Sequence, residues 1–101
     1  MMYKYRFYIG SIAGDVAKGT ENESRVFTKE EVKQAVEEHA SFEGYTLFDG
    51  LGYWEGAEEA SYVFEVLTQY QMHTAFIRLL KAELCQDSIL YTVEKIEAFF
   101  A

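Results

Sequence analysis

Apolar residues recur along this chain at spacings that switch between two and three-to-four, and the order of the switches constrains the fold more than any other feature. In YKYRFYIG (residues 3–10), Tyr3, Tyr5, Phe7 and Ile9 alternate with Lys4, Arg6 and Tyr8, the period of a half-buried strand. Gly10 ends it. TKEEVKQAVEEHA begins with Thr28 and, three residues on, Glu31, the pair that satisfies the orphan amides of a helix start. Val32, Ala35, Val36 and His39 follow at i, i+3, i+4 and i+7, a single helical stripe, and the acidic first turn (Glu30, Glu31) suits the helix dipole. After a turn at Glu43–Gly44, a second strand is predicted from Tyr45 to about Trp54, with closely spaced glycines suggesting a bulge or bend near 50–52. Residues 55–60 read as a turn, and SYVFEVL (61–67) as a third strand antiparallel to the second. From Gln71 to about Leu84 a second helix is predicted, its apolar face made by Met72, Phe76, Ile77, Leu79, Leu80 and Leu84. SILYTV (88–93) is a fourth strand. The alternation slips at Glu94–Lys95 and resumes at Ile96, Ala98 and Phe100, which predicts either a bulge in one long edge strand or a hairpin into a fifth.

The order is β-α-β-β-α-β. Each helix has one apolar stripe and must bury it, so both helices cover one face of a four-stranded antiparallel sheet. The expected class is α+β, a ferredoxin-like split βαβ fold with a C-terminal extra strand as an option. The 101 residues, with no proline and no low-complexity tract, make one domain, 1–101. Eight Phe, eight Tyr and one Trp, each removing roughly 150–250 Å² from water when buried, are enough for a core without metals. They also exceed what one face can absorb. Tyr8, Tyr45, Trp54 and Tyr62 are expected on the uncovered face, where a single copy would leave apolar surface open and self-association would hide it.

Charge and cysteine usage narrow the function classes. A net charge of −8 repels phosphate backbones and excludes a direct DNA or RNA binder, leaving a basic protein partner or plain solubility. The single cysteine, Cys85, allows no intrachain disulfide and fits a reducing, cytoplasmic setting. No apolar run reaches the ~18–20 residues of a membrane span, and MMYKYRFYIG lacks a signal-peptide core. The expected address is cytoplasmic, with no membrane and no nucleic acid.

The candidate site residues lie on or beside the strands. Gly50 and Gly52 would let backbone approach a ligand or a neighbouring subunit with Trp54 as anchor; the competing reading makes Trp54 a core residue. Arg6 and Glu65 face each other if the first and third strands are adjacent, in a two-pronged pair, and Lys4 and Tyr8 share that face. AGDVAKGT in the loop 11–27 lacks the spacing and the following helix that a phosphate loop needs, so a mobile surface loop is expected. His39 and His73 fall on different helices with no metal-binding spacing, so no metal is expected. The paired acids Glu30–Glu31, Glu37–Glu38 and Glu58–Glu59 read as solvated faces rather than a catalytic dyad. No catalytic residue is assigned, no cofactor is called for, and a non-enzymatic protein is expected.

GYWEGAEEASYVFEVL resembles the segment joining the second and third strands of CutA and nitrogen-regulatory PII-like proteins, where an aromatic-Trp-x-Gly turn precedes an apolar strand. Gln86-Asp87-Ser88-Ile89-Leu90, with Tyr8-Ile9-Gly10 and Gly44-Tyr45-Thr46, is similar to elements of a group of uncharacterised bacterial and phage proteins. The resemblance implies a homo-oligomer, a trimer in preference, that binds a small anionic, nucleotide-like molecule in clefts between subunits and senses or sequesters it. Lys4, Arg6, Tyr8, Thr46, Gly50, Gly52, Trp54, Glu65 and Ser88 are the residues expected at that ligand site or interface. Residues 55–60 are too few for the long PII signalling loop, so partner gating of that kind is not implied. The alternative is a small acidic interaction or inhibitor protein, phage-encoded, that blocks a basic protein surface.

Overall fold

The alternating segment that opens the chain forms the middle of the sheet. In the computed structural model, which describes residues 1–72 and 74–101, β1 (Met2–Gly10) is flanked on both sides. The other elements are α1 (Lys29–His39), β2 (Thr46–Trp54), β3 (Ala57–Thr68), α2 (Thr74–Glu83) and β4 (Leu90–Ile96), with a 3-10 turn at Asp15–Ala17. The strands lie in the order β2-β3-β1-β4, antiparallel throughout. This is the ferredoxin-like split βαβ arrangement that the order of periods predicts. No described helix is long and apolar enough to cross a membrane.

Register decides which side chains are buried. Tyr5, Phe7 and Ile9 stand opposite Val66, Phe64 and Tyr62 of β3, and opposed residues project to the same side of a sheet. On that side α1 contributes Val32, Ala35 and Val36, and α2 contributes Phe76 and Leu80, all within one core with Leu84 and Ile89. Phe7 packs edge-on against Phe76 at 5.5 Å between ring centres, and Tyr45 and Phe42 close the margins against Phe64 and Phe76. The α1 start carries the reciprocal cap: Thr28 Oγ1 accepts from the Glu31 amide at 3.2 Å, and Glu31 Oε1 accepts from the Thr28 amide at 3.0 Å. The Thr28 amide bond, then Arg25, holds the Glu31 carboxyl below its ordinary range.

Residues 11–27 are not the mobile loop expected from their composition. Phe27 donates its amide to the Ser11 carbonyl at 2.7 Å and Ala13 to Arg25 at 2.8 Å, around an isolated bridge between Ile12 and Val26. The rest of the restraint comes from the far end of the chain. Asp87 accepts from the amides of both Asp15 and Val16 at 2.9 Å, Gln86 Nε2 donates to the Ile12 carbonyl at 3.1 Å, and the Gly14 amide donates to the Cys85 carbonyl at 2.7 Å. Gly14 is a necessity here, since a Cβ would sit 2.5 Å from the Asp87 carboxylate.

The end of α2 aims this clamp. The Gln86 amide reaches back to the Lys81 carbonyl and the Cys85 amide to that of Ala82, with Cys85 in the left-handed region at φ 51. This is the Schellman stop of a helix, and it turns the chain so that Gln86 and Asp87 face the loop.

Several expectations are corrected. The β2–β3 ladder runs without a bulge through Gly50, Leu51 and Gly52. The turn is only Glu55–Gly56, with φ 48 and 83, a type I′ hairpin whose twist suits the strands; residues 57–60 are therefore free to pair, and β3 starts earlier than residue 61. β4 continues through Glu94 and Lys95 to Ile96 opposite Met2, and residues 97–101 form no strand, so the sheet stops at four. Helix α2 starts at Thr74, and Leu79 points to water. His73 lies outside the described residues.

Replacing Phe64, fully buried, by alanine should destabilise the fold by ~3–5 kcal/mol in urea unfolding. The paired amides of Asp15 and then Val16 depress the Asp87 carboxyl from its ordinary 3.8. A depressed acid contributes fully above its unfolded value and loses that contribution as pH falls through the lower folded value. The protection of the Asp15 and Val16 amides, measured against their intrinsic exchange rate at each pH, should therefore fall when pH drops below the ordinary aspartate range, and Asp87→Ala should give the same loss of protection at neutral pH.

Candidate functional site

With both helices on one side, the other face of the sheet is bare, and parity assigns its residues. Lys4, Arg6 and Tyr8 of β1 share it with Ser61, Val63, Glu65 and Leu67 of β3, with Thr46, Phe48, Gly50, Gly52 and Trp54 of β2, and with Leu90, Thr92 and Glu94 of β4. One row crosses all four strands: Phe48, Val63, Tyr8, Leu90. It is apolar along its length, with Phe48 and Leu90 exposed at 47% and 65%. The next row is polar: Thr46, Glu65, Arg6, Thr92. Arg6 Nε donates to Glu65 Oε2 at 2.7 Å, through that nitrogen rather than in the two-pronged grip expected. The Glu65 carboxylate raises the Arg6 pKa further. The guanidinium on this face is already committed to an acid.

Beyond Gly10, where β1 ends, β2 and β3 continue as a two-stranded arm to the Glu55–Gly56 tip. Such ribbons are marginal in water without support. Leu51 and Tyr53 project from one side of the arm and Trp54 from the other, each about 70% exposed (72%, 72% and 70%). The reading of Trp54 as a core residue is thereby corrected. Gly50 and Gly52 have no crowding to explain them: a Cβ would meet its first neighbour at 3.7 and 3.4 Å, ordinary contact. Their effect is to leave the backbone bare beside Trp54. Gly10 differs, because the Glu59 carboxylate would lie 2.6 Å from a Cβ there and accepts from the Ile12 amide at 2.9 Å.

The structure thus places eight of the nine expected site residues (Lys4, Arg6, Tyr8, Thr46, Gly50, Gly52, Trp54 and Glu65) on one uncovered face. Ser88 is exposed at the approach to β4. Tyr45 and Tyr62 are corrected to the helix side, where Tyr45 packs against Phe64 at 5.3 Å and donates to Glu37 Oε1. Sequence reasoning missed Phe48, Val63 and Leu90, because neighbours in a row come from different strands and share no local spacing. It also missed a cluster between the helix ends, where donor atoms of Glu38, His39 and Glu83 lie within 4.8 Å of one another. His39 Nε2 bonds Glu83 Oε2 there, and the cluster acts as a tie between α1 and α2 beside an open cavity of about 240 Å³.

No family model matches the chain, and no curated protein does. Solved structures do. A DUF3240 family protein from Shewanella baltica OS155 is similar over 98% of this chain and 94% of its own, with 13% identity and a TM-score of 0.59. A phage SAM lyase, solved in complex with S-methyl-5′-thioadenosine, is similar over 93% of this chain and 81% of its own, with 15% identity and a TM-score of 0.58. The likeness is one of fold, shared with small bacterial and phage proteins. It overturns the expectation that the chain is not an enzyme, since one of the solved proteins that share the fold is itself an enzyme, the phage SAM lyase. The expectation rested on missing local motifs, yet this fold joins polar groups by register: Arg6 and Glu65 meet across 59 residues of sequence.

Gly56 at φ 83 holds a conformation that costs an L-residue about 1–2 kcal/mol. Gly56→Ala should fray the arm and raise amide exchange from Leu51 to Ala60, leaving β1 and α1 protected.

Proposed function

We propose that this chain is a homo-oligomeric small-molecule-binding protein, a cyclic trimer, that takes an adenosine sulfonium or thioether, SAM or its methylthio product, in clefts between subunits. The observation that carries the reading is the bare apolar row Phe48–Val63–Tyr8–Leu90, continuous on the same face with Trp54.

Magnitudes decide whether the flat face alone is enough. Four strands ~4.8 Å apart, with about seven paired residues of ~3.4 Å each, make a footprint on the order of 450 Å². A stable interface buries ~800 Å² per partner. The arm must therefore join the contact. An arm lying over a neighbour's sheet is a head-to-tail contact, which gives a ring where the rotation closes and a filament where it does not, and the PII-like resemblance of the arm sequence favours a ring of three. Gly50 and Gly52, which the chain's own packing does not demand, give the neighbour's backbone room to approach.

The ligand class follows from charge and from the lyase with its bound thioadenosine. Arg6 is already paired with Glu65, Lys4 stands opposite Glu94 in register, and the chain carries −8. A sulfonium or uncharged thioether nucleoside suits this face better than the anion first expected, with Trp54 or Tyr8 available for stacking on the adenine.

Native mass spectrometry should show a trimer, and Phe48→Glu with Leu90→Glu should reduce it to monomer. Calorimetry should detect saturable binding of S-methyl-5′-thioadenosine to the wild type and at least tenfold weaker binding to the double variant. Incubation with SAM, followed for released S-methyl-5′-thioadenosine, reports whether the site also turns its ligand over. A wild type that stays monomeric at micromolar concentration overturns the proposal.

A further inference from the structure

The geometry points to a second, intramolecular ligand site, a groove that takes a small organic phosphate of mononucleotide size between the 11–27 loop and α2. The groove is a shallow, open one of about 570 Å³, a volume within the ~300–1,000 Å³ of small-molecule sites. It is built by one chain and lies on the helix side, so it stands or falls independently of the trimer.

Its two walls have different chemistry. On α2, Arg78, Lys81 and Ala82 fall at i, i+3 and i+4, and with Cys85 just past the helix end they form the flank turned toward the loop. The loop supplies Val16, 61% exposed, with Thr20, Asn22 and one carboxylate, Glu21. Two cations at i, i+3 on one helix face repel each other. Among the described residues neither makes an ion pair; the nearby Asp87 carboxylate, which feels Lys81, is occupied by two loop amides. In a chain with 9 basic against 17 acidic residues, two cations over a groove, neither in an ion pair with Glu21 on the facing wall, are a feature that packing does not explain. A phosphate would neutralise both, a ribose would meet Thr20 and Asn22, and a base would cover Val16.

The groove is also held open in advance. The Asp87 and Gln86 bonds to the loop, and the Gly14 amide on the Cys85 carbonyl, fix one wall to the other. A ligand would therefore not have to order the loop, which is the main cost of binding on a flexible segment.

The test is an NMR titration of the full chain with AMP, adenosine and inorganic phosphate. AMP should produce saturable amide shifts at residues 16–22 and 78–86, adenosine and phosphate alone should bind at least tenfold more weakly, and added salt should weaken AMP. Arg78→Gln with Lys81→Gln should weaken AMP at least tenfold, while Lys29→Gln with Lys33→Gln, an equal change of charge on α1, should not. Val16→Glu tests the opposite wall and should also weaken it. Equal binding of adenosine and AMP, shifts that map to the open sheet face, or unchanged affinity in the Arg78/Lys81 variant would each overturn the site.

Discussion

The contact of Phe7 with Phe64 and Phe76 fixes which side of the sheet is inside. Phe7 lies in the middle strand, opposite Phe64 in the ladder and edge-on to Phe76 of α2. Because strand side chains alternate, burying Phe7 also commits Tyr5 and Ile9 to the core and turns Lys4, Arg6 and Tyr8 outward. That choice propagates through the ladders, so the composition of the open face follows from it. A slip of one residue would bury Arg6 and expose Phe7, an exchange no other contact could offset.

The sequence was most legible where one face is buried along its whole length. In β1 and α1 the apolar period is clean because every second residue, or every third and fourth, meets the core. It was least legible at the sheet margins. In β4, Lys95 takes a helix-side position opposite Tyr3, yet the strand lies at the sheet edge, where the lysine stays in water. The alternation therefore looked broken while the ladder was intact. The Glu55–Gly56 turn lacks the usual Asn-Gly or Asp-Gly pair, which hid the first four residues of β3.

The candidate face was partly readable for the same reason. Arg6 and Glu65 were found from strand order alone, and the Gly–Trp segment from composition. The apolar row was not, because its four members belong to four strands. The loop restraint was beyond local reading as well: Asp87 lies 72 residues from the amide of Asp15 that it accepts. Glycine and charge in residues 11–27 suggested freedom, whereas the partners that remove that freedom come from the other end of the chain.

The stop of α2 at Cys85 has a consequence for where this chain can change length. One left-handed residue both terminates a helix and sets the phase of the two side chains that grip a distant loop. Insertion or deletion of a single residue between Leu84 and Asp87 would rotate those side chains away and release the loop together with the helix end. At the hairpin tip the same edit would only lengthen or shorten an unsupported ribbon. Diversification by insertion is thus tolerable at the hairpin tip and barred at the helix stop, although both lie toward the same end of the sheet.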